Sequence, residues 1–366
     1  MGALSDHFGR KPFMVAGALL GLAALWVYPL SAGALLVLFV ARAVEGLASA
    51  SLTPATLGFL ADTTEPEATA SRGRTMAYYE MATLIGIGSG YATGGVLWQH
   101  LGDSAFHAAS GLYLLSAVVV WRWVRGGAPS GRPAHRWRDY VAVVRQPRVL
   151  RFAPAWLCVT AVIGLWFNNV IFQLAGPRRA GQLLTGGFSG GQVSLMLGLF
   201  VLVLVAGTFG WSRVFDRFPS KTDIMAVALA GLFVVCITLL VLNHRGGHAW
   251  LGVLLPLLAV GVAVQSGFTP AALAYLADIT EDFTAERGAI MGLYSIFLSA
   301  GEIGGGAAGG PFAQAWGMDG MIGLTLALAT AAAATVLLLR DREARHPPND
   351  LEKSTHSGLV PAGALK

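Results

Sequence analysis

Long apolar segments, separated by short polar or charged turns, run through most of the chain. Ten of them lie near 13–31, 33–61, 75–98, 106–122, 152–175, 190–213, 223–243, 249–277, 288–314 and 318–340. The first extends from Phe13 to Ser31, 19 residues without a charge. At about 1.5 Å per residue, a helix of this length nearly crosses a hydrocarbon core of about 30 Å. Because a helix satisfies its own backbone groups in lipid, the pattern predicts an all-α polytopic membrane protein with about ten transmembrane helices.

Composition and charge agree with this class and indicate an orientation. The chain is 55% hydrophobic and only 12% charged, whereas soluble domains carry about 25% charge. If the opening turn is cytoplasmic and the loops alternate, Lys and Arg collect on the cytoplasmic side, and only Arg178, Arg179 and Arg245 fall outside. The positive-inside rule then predicts cytoplasmic termini in a plasma-membrane protein. The net charge of +5 reflects topology and anionic lipid, so no nucleic-acid partner is expected.

A basic stretch divides the chain into four predicted regions. Residues 1–122 form an incomplete N-terminal transmembrane bundle, and residues 123–151 form a basic cytoplasmic central loop. Residues 152–340 form a six-helix C-terminal bundle. The polar, Pro- and Gly-rich segment 341–366 is expected to be a disordered cytoplasmic tail.

The two bundles carry an internal repeat. The stretch "LTPATLGFLADTTEPEATASRGRTM" matches "FTPAALAYLADITEDFTAERGAIM", and Pro54 and Pro270 are 216 positions apart. The match continues into two GxxxGxxxG patterns, one in each half. Such a pattern predicts a flat helix face that lets another helix approach closely. The glycines are Gly86, Gly90 and Gly94 in the first half and Gly301, Gly305 and Gly309 in the second. Two parallel repeats favour a transporter with its binding site between the halves.

The opening turn has its own counterpart. Asp6 and Lys11 align with Asp216 and Lys221 in "GWSRVFDRFPSKT", which follows the second apolar block of the second half. By this alignment the first half lacks its first two helices. The expectation is that Met1 is a misplaced start or the beginning of a fragment.

The opening segment "GALSDHFGRKP" resembles the loop signature G-x-L-a-D-r-x-G-r-k of the major facilitator superfamily. The resemblance implies a fold of twelve helices in two six-helix bundles related by a pseudo-twofold axis, and transport by alternating access. Of the twelve helices, helices 3–12 are present in this chain. It also implies that Asp6 latches the cytoplasmic side by facing a helix N-terminus, where a carboxylate is stabilised. The expected cytoplasmic gate and anchor residues are Asp6, Arg10, Lys11, Asp62, Arg72, Asp216, Lys221, Asp278 and Arg287.

Charges within the apolar blocks give candidate proton-coupling residues. Arg42 and Glu45 are three positions apart and share one helix face. Charges within a span are costly and usually mark function. The stretch resembles the R-x-x-q-G signature of proton-linked drug exporters; the alternative is a structural ion pair. Glu80 and Glu302 are further coupling or gate candidates.

A glycine-rich stretch and several polar side chains within the blocks complete the candidates. "GIGSGYATGG" resembles the antiporter signature G-x-x-x-G-P-x-x-G-G, with Tyr91 in place of its proline. Polar residues within the spans could line a solute cavity or merely bridge helices; they are Trp166, Asn168, Asn169, Gln173, Gln265, Tyr78 and Tyr294. The sequence has neither metal-ligand spacing nor a P-loop, so no cofactor, metal or enzymatic activity is expected.

The predicted function is secondary active transport of a small solute, coupled to protons, with efflux of a drug or metabolite slightly favoured. The first alternative is uptake of a small polar metabolite by proton symport. The second is a truncated, non-transporting membrane protein, in which the ridge of Gly301, Gly305 and Gly309 would face lipid or another subunit.

Overall fold

A computed structural model describes Ser5 and residues 8–31, 33–63, 69–124, 145–245, 248–279 and 287–345. Within these ranges every element is helical, and eight helical segments are long and apolar enough to cross a membrane. One of them, 296–342, spans 47 residues and therefore covers two of the predicted blocks. The predicted all-α polytopic fold is confirmed.

The described residues form ten α-helices. They are α1 Arg10–Val27, α2 Leu35–Thr63, α3 Thr69–Leu101, α4 Ser104–Trp123, α5 Pro147–Ala175, α6 Gly190–Val214, α7 Lys221–His244, α8 His248–Gln265, α9 Phe268–Ile279 and α10 Arg287–Arg345. Short 3-10 turns occupy Tyr28–Ser31 and Phe215–Arg217.

These helices form two compact units. The first unit comprises residues 1–136 and 189–202, and the second comprises residues 137–188 and 203–366. Helix α6 thus contributes residues to both units.

In the first unit, α1 packs between α2 and α4 because small residues line its two contact faces. A Cβ placed on Gly17 would lie 2.9 Å from the backbone oxygen of Ala48 and the backbone nitrogen of Leu52 in α2. On its other face, Gly21 lies against the ring of Tyr113 in α4. Such close approach is how helices associate in lipid, where apolar side chains gain little by leaving the bilayer.

Helix α3 uses a different face from the one that its glycine pattern predicts. Among the described residues, no atom lies within 4 Å of a Cβ built on Gly86, Gly90 or Gly94. The close contacts instead come from Gly88, whose added Cβ would lie 2.9 Å from Val201, and from Gly95, whose N–H donates to Ser194 Oγ at 2.8 Å. Positions 88 and 95 are seven residues apart and share a face about 150° from the predicted ridge. The prediction for the first-half glycines is corrected accordingly.

The second-half glycines do line a helix contact. Gly301 lies against Thr160, Gly305 against Ala161, and Gly309 against Leu165. The ridge therefore packs along α5, which corrects the expectation that it would face lipid or another subunit. Helices α5 and α10 form the most extensive contact of the second unit.

The apolar block 249–277 is two helices, α8 and α9, rather than one. The chain turns at Ser266–Gly267, where Gly267 lies against the Trp211 indole. Trp211 Nε1 donates to the carbonyl oxygens of Ala263 at 3.1 Å and Val264 at 3.0 Å. These bonds satisfy carbonyls that the end of a helix leaves without intrahelical partners.

A sharp change of direction divides α10 into the two predicted blocks. Gly317 has φ 63° and ψ −138° inside this 59-residue helix. The positive φ favours glycine because a side chain would be strained there. The kink therefore separates the segment before Gly317, which carries the glycines that pack on α5, from the segment leading to Arg345.

Candidate functional site

Arg42 and Glu45, the charged residues that the sequence singles out on α2, form an ion pair, and the pair has a third member. Arg42 donates from an Nη atom to Glu45 Oε2 at 2.8 Å. The Tyr28 hydroxyl donates to the same carboxylate oxygen, and the Arg42 guanidinium lies over the Tyr28 ring, 5.3 Å from its centroid. Tyr28 therefore contacts both charged side chains.

Local chain geometry brings Tyr28 to α2. Helix α1 ends at Val27 and continues as the 3-10 turn, in which Ser31 Oγ donates to the Tyr28 carbonyl at 2.6 Å. The chain then reverses at Gly33, which has φ 81°, before α2 begins at Leu35. Because the connection is so short, Tyr28 lies beside the first turns of α2, where Arg42 and Glu45 occur three residues apart.

A cavity of about 480 Å³ surrounds this triad, entirely within the first unit. Its volume is that of a small-molecule site. Its lining residues are Leu25, Tyr28, Pro29, Ser31, Leu38, Arg42, Glu45, Trp98, Asp103 and Phe106.

Three aromatic rings form one wall of the cavity. Phe106 stacks on Tyr28 with ring centroids 5.5 Å apart, and Trp98 meets Phe106 edge-on at 5.8 Å. Asp103 lies at the start of α4 and adds a second carboxylate. The cavity thus combines apolar rings with two carboxylates and one guanidinium.

Of the ten lining residues the sequence identified only Arg42 and Glu45. The missed residues that carry an aromatic ring or a charge are Tyr28, Trp98, Asp103 and Phe106. Tyr28 and Trp98 stand at the ends of apolar blocks, where aromatic residues commonly mark the membrane interface. The signal that could have identified Tyr28 is the short connection between α1 and α2, which leaves few positions for a tyrosine other than beside Arg42.

Three of the predicted cavity residues of the second unit, Trp166, Asn168 and Asn169, lie together on α5. Trp166 Nε1 donates to Thr325 Oγ1 of α10 at 2.9 Å. Asn168 and Asn169 donate to carbonyls one turn earlier, Gly164 at 2.8 Å and Leu165 at 2.9 Å. Asn168 is exposed, and Asn169 also reaches the Gly306 carbonyl of α10 at 3.5 Å. Trp166 and Asn169 thus bridge helices, whereas Asn168 keeps an accessible amide.

Glu302 lies in the same α5–α10 contact, and its backbone packs against Gly164. Its side chain is half-buried and forms no ion pair among the described residues. One turn later, a Cβ placed on Gly306 would lie 2.9 Å from the Asn168 amide nitrogen. Glu302 therefore lies one helical turn from the residue that faces Asn168, the exposed amide among the predicted cavity residues.

No described contact brings Gln265 or Gln173 to the region of Glu302 and Asn168. Gln265 ends α8, and its amide oxygen is buried without a hydrogen-bond partner among the described residues. Gln173 is half-buried near the end of α5, where its backbone carbonyl accepts from Gly186 N at 2.8 Å.

Many of the residues predicted for the gate, for proton coupling or for the solute cavity lie outside the described residues or have side chains that the structure does not describe. They are Asp6, Asp62, Arg72, Tyr78, Glu80, Asp216, Asp278, Arg287 and Tyr294. Of the remaining gate residues, Arg10 donates to Ser5 Oγ at 3.1 Å at the start of α1, and Lys11 and Lys221 are partly exposed at helix starts.

A polar network at the other end of the second unit was not predicted. Asp319, just after the Gly317 kink, accepts from Asn243 Nδ2 at 2.8 Å, from Gln182 Nε2 at 2.9 Å, and pairs with His244 Nε2 at 3.0 Å. Asn243 Oδ1 accepts from Leu184 N at 2.9 Å. The network joins the α5–α6 connection to the end of α7 and to the kink in α10.

Comparison with known proteins agrees with this architecture. The sequence profile of the Major Facilitator Superfamily matches residues 1–182 and again residues 180–366. The chain is 25% identical over 319 residues to multidrug resistance protein 1 of Bacillus subtilis (strain 168), covering 84% of this chain and 75% of the relative.

Solved structures share the fold at lower identity. A POT family transporter in complex with 5-aminolevulinic acid has a TM-score of 0.69 at 15% identity, covering 94% of this chain and 84% of its own. The human organic anion transporter MFSD10 has a TM-score of 0.62 at 18% identity, covering 92% and 79%. These neighbours support the fold, and the profile match together with the curated relative supports membrane transport as the general activity.

Proposed function

The chain belongs to the Major Facilitator Superfamily, and from this premise we propose that it moves a small solute across the membrane by proton-coupled alternating access. The observation that carries the proposal is the Arg42–Glu45 ion pair beside a solute-sized cavity. Charged side chains within spans are retained where they face a cavity and serve a transport cycle. The pair is a coupling element in this proposal, and the aromatic wall is part of the solute pathway.

The physical mechanism starts from the charge of Glu45. While Glu45 is ionised, it holds the Arg42 guanidinium through the 2.8 Å bond. When Glu45 takes up a proton, the attraction falls and Arg42 is free to reorient within the cavity, because its side chain is 67% exposed. If a proton and a solute both act on this pair, their binding is coupled thermodynamically, since binding of either one changes the protein's affinity for the other.

Glu302 is the proposed second titratable group, in the other unit. It lies among apolar residues and glycines at the α5–α10 contact, close to the exposed Asn168 amide. A carboxylate in such a place is expected to bind a proton or a polar solute group. Glu80, Asn169, Gln173, Gln265, Tyr78 and Tyr294 remain proposed contributors to the coupling or solute pathway.

The orientation follows from the distribution of positive charge. With Arg10 and Lys11 on the cytoplasmic side, α1 runs outward and the cavity near Tyr28 lies toward the outer face. Both termini are then cytoplasmic, and the proposed location is the plasma membrane. The charged residues at the cytoplasmic helix ends, Asp6 and Asp216 among them, are the proposed gate of the alternating-access cycle.

Efflux is the favoured direction, supported by the similarity to a multidrug resistance protein. Uptake by proton symport is the second candidate, supported by the POT-type structural neighbour that binds 5-aminolevulinic acid. A non-transporting role is the remaining alternative from the sequence.

The test is a pH jump in proteoliposomes that contain the purified chain. Ethidium serves as the drug-like probe and radiolabelled 5-aminolevulinic acid as the polar probe, each measured in protein-containing and protein-free vesicles. Probe movement opposite to the proton gradient indicates antiport, and movement with it indicates symport. If an imposed gradient drives neither probe faster than in protein-free vesicles, the non-transporting alternative is favoured.

A further inference from the structure

Resting on the proposed role of Glu45, we propose that Tyr28 is the positioning residue of the proton site, because its hydroxyl sets the proton affinity of the Glu45 carboxylate. Nothing in the sequence signature that marks Arg42 and Glu45 includes this tyrosine. Its place in the site comes from the 3-10 turn that ends α1.

Tyr28 contacts the ion pair in two chemically different ways. Its hydroxyl donates to Glu45 Oε2, the same oxygen that accepts from Arg42. Its ring lies beneath the Arg42 guanidinium, where the negative face of the ring attracts the cation. One side chain therefore stabilises both the carboxylate and the guanidinium in the paired state.

The tyrosine is itself held in place. Phe106 of α4 stacks on its ring with the two planes 20° apart, and the 3-10 turn fixes its backbone through the Ser31 bond. The hydroxyl thus reaches Glu45 with little freedom to turn away. A pre-positioned donor of this kind stabilises a charge more than a mobile solvent molecule does.

A tyrosine hydroxyl suits a carboxylate that changes its protonation state. It donates to the ionised carboxylate, and it can accept a hydrogen bond from the protonated acid. The hydrogen bond to the ionised carboxylate is stronger than the one to the protonated acid, because one partner carries a charge. Removal of the hydroxyl therefore costs the ionised form more than the protonated form, and Glu45 should bind its proton more tightly.

Other titratable and charged groups also face Glu45. Arg42 faces it from the same helix, Asp103 lines the same cavity, and Tyr113 of α4 is close enough to interact with it electrostatically. Tyr113 makes no hydrogen bond to Glu45 in the described structure, and its ring packs against Gly21 instead. Tyr113 therefore offers a matched control for the loss of a hydroxyl near the same carboxylate.

The experiment follows the protonation of Glu45 by infrared difference spectroscopy on the purified full chain as the pH is stepped. The carboxyl band of Glu45 is the one that disappears in Glu45→Gln. Tyr28→Phe keeps the ring, and with it the Phe106 stacking and the Arg42 contact, and removes only the hydroxyl. We expect Tyr28→Phe to raise proton affinity about 3- to 10-fold, which moves the midpoint upward by about 0.5–1 pH unit. Tyr113→Phe should leave the midpoint unchanged.

The possible results separate the inference from the proposed function. If Glu45→Gln removes a titrating band but Tyr28→Phe leaves its midpoint in place, the positioning role of Tyr28 is wrong and the proton site stands. An equal shift in Tyr113→Phe would also overturn it, because the hydrogen bond would not be the cause. If Glu45→Gln removes no titrating band, Glu45 does not exchange protons, and the proposed coupling itself fails.

Discussion

Asn243 is the residue on which the polar network at the end of α7 depends most. Its side chain is fully buried. Its Oδ1 accepts from Leu184 N at 2.9 Å, and its Nδ2 donates to Asp319 Oδ1 at 2.8 Å. Asn243→Ala removes both bonds at once and leaves the Leu184 N–H without this acceptor.

The magnitude follows from the two bonds. A hydrogen bond to a charged group contributes about 1.5–3 kcal/mol, and an unpaired buried amide costs about 1–3 kcal/mol. Asp319 retains its contacts with Gln182 and His244, and Leu184 is only partly buried. We therefore expect Asn243→Ala to lower the free energy of unfolding by about 2–4 kcal/mol.

The assay is unfolding of the detergent-solubilised protein in mixed micelles, followed by tryptophan fluorescence. Asn168→Ala is the matched control because Asn168 is exposed and, within the part of the chain that the structure describes, its amide bonds only to a carbonyl of its own helix. Its effect should be within about 0.5 kcal/mol of wild type. The reasoning is refuted if the two variants unfold at the same denaturant concentration.

Two further substitutions test packing and charge. Gly305→Val should abolish folding of the second unit, because the Ala161 backbone occupies the space next to Gly305. Gly304→Val should fold normally, because no atom of the described residues lies within 4 Å of a Cβ placed on Gly304. The yield of detergent-extracted monomer distinguishes the two variants. Arg340→Gln removes one partner of the 2.7 Å ion pair with Asp223, and it should lower the free energy of unfolding by less than about 1 kcal/mol because the Arg340 side chain is more than half exposed. An effect above about 2 kcal/mol in the same micelle assay would contradict this.

The apolar blocks predicted the membrane-spanning fold because lipid imposes one solution on a long apolar segment. They did not predict the break at Ser266–Gly267, since the residues on both sides are apolar. That turn depends on Trp211, which is distant in sequence and caps the carbonyls of Ala263 and Val264.

The glycine patterns predict that a helix can be approached closely, but they do not predict which face is used. A GxxxG spacing indicates a flat face but not its partner, so Gly301, Gly305 and Gly309 meet α5 while α3 makes contact through Gly88 and Gly95. In the candidate site, intramembrane charge identified Arg42 and Glu45. Tyr28 was missed because its role depends on how α1 turns into α2, which the periodicity of apolar residues does not encode.

The most direct test of the central claim is proton flux through Glu45 in proteoliposomes. A pH-sensitive dye trapped inside the vesicles reports protons that move when the transported probe is added outside, and probe counterflow without a pH gradient reports the folded, cycling protein. The account predicts that Glu45→Gln retains counterflow but loses the probe-driven proton flux of the wild type. A Glu45→Gln variant whose proton flux equals that of the wild type would contradict it.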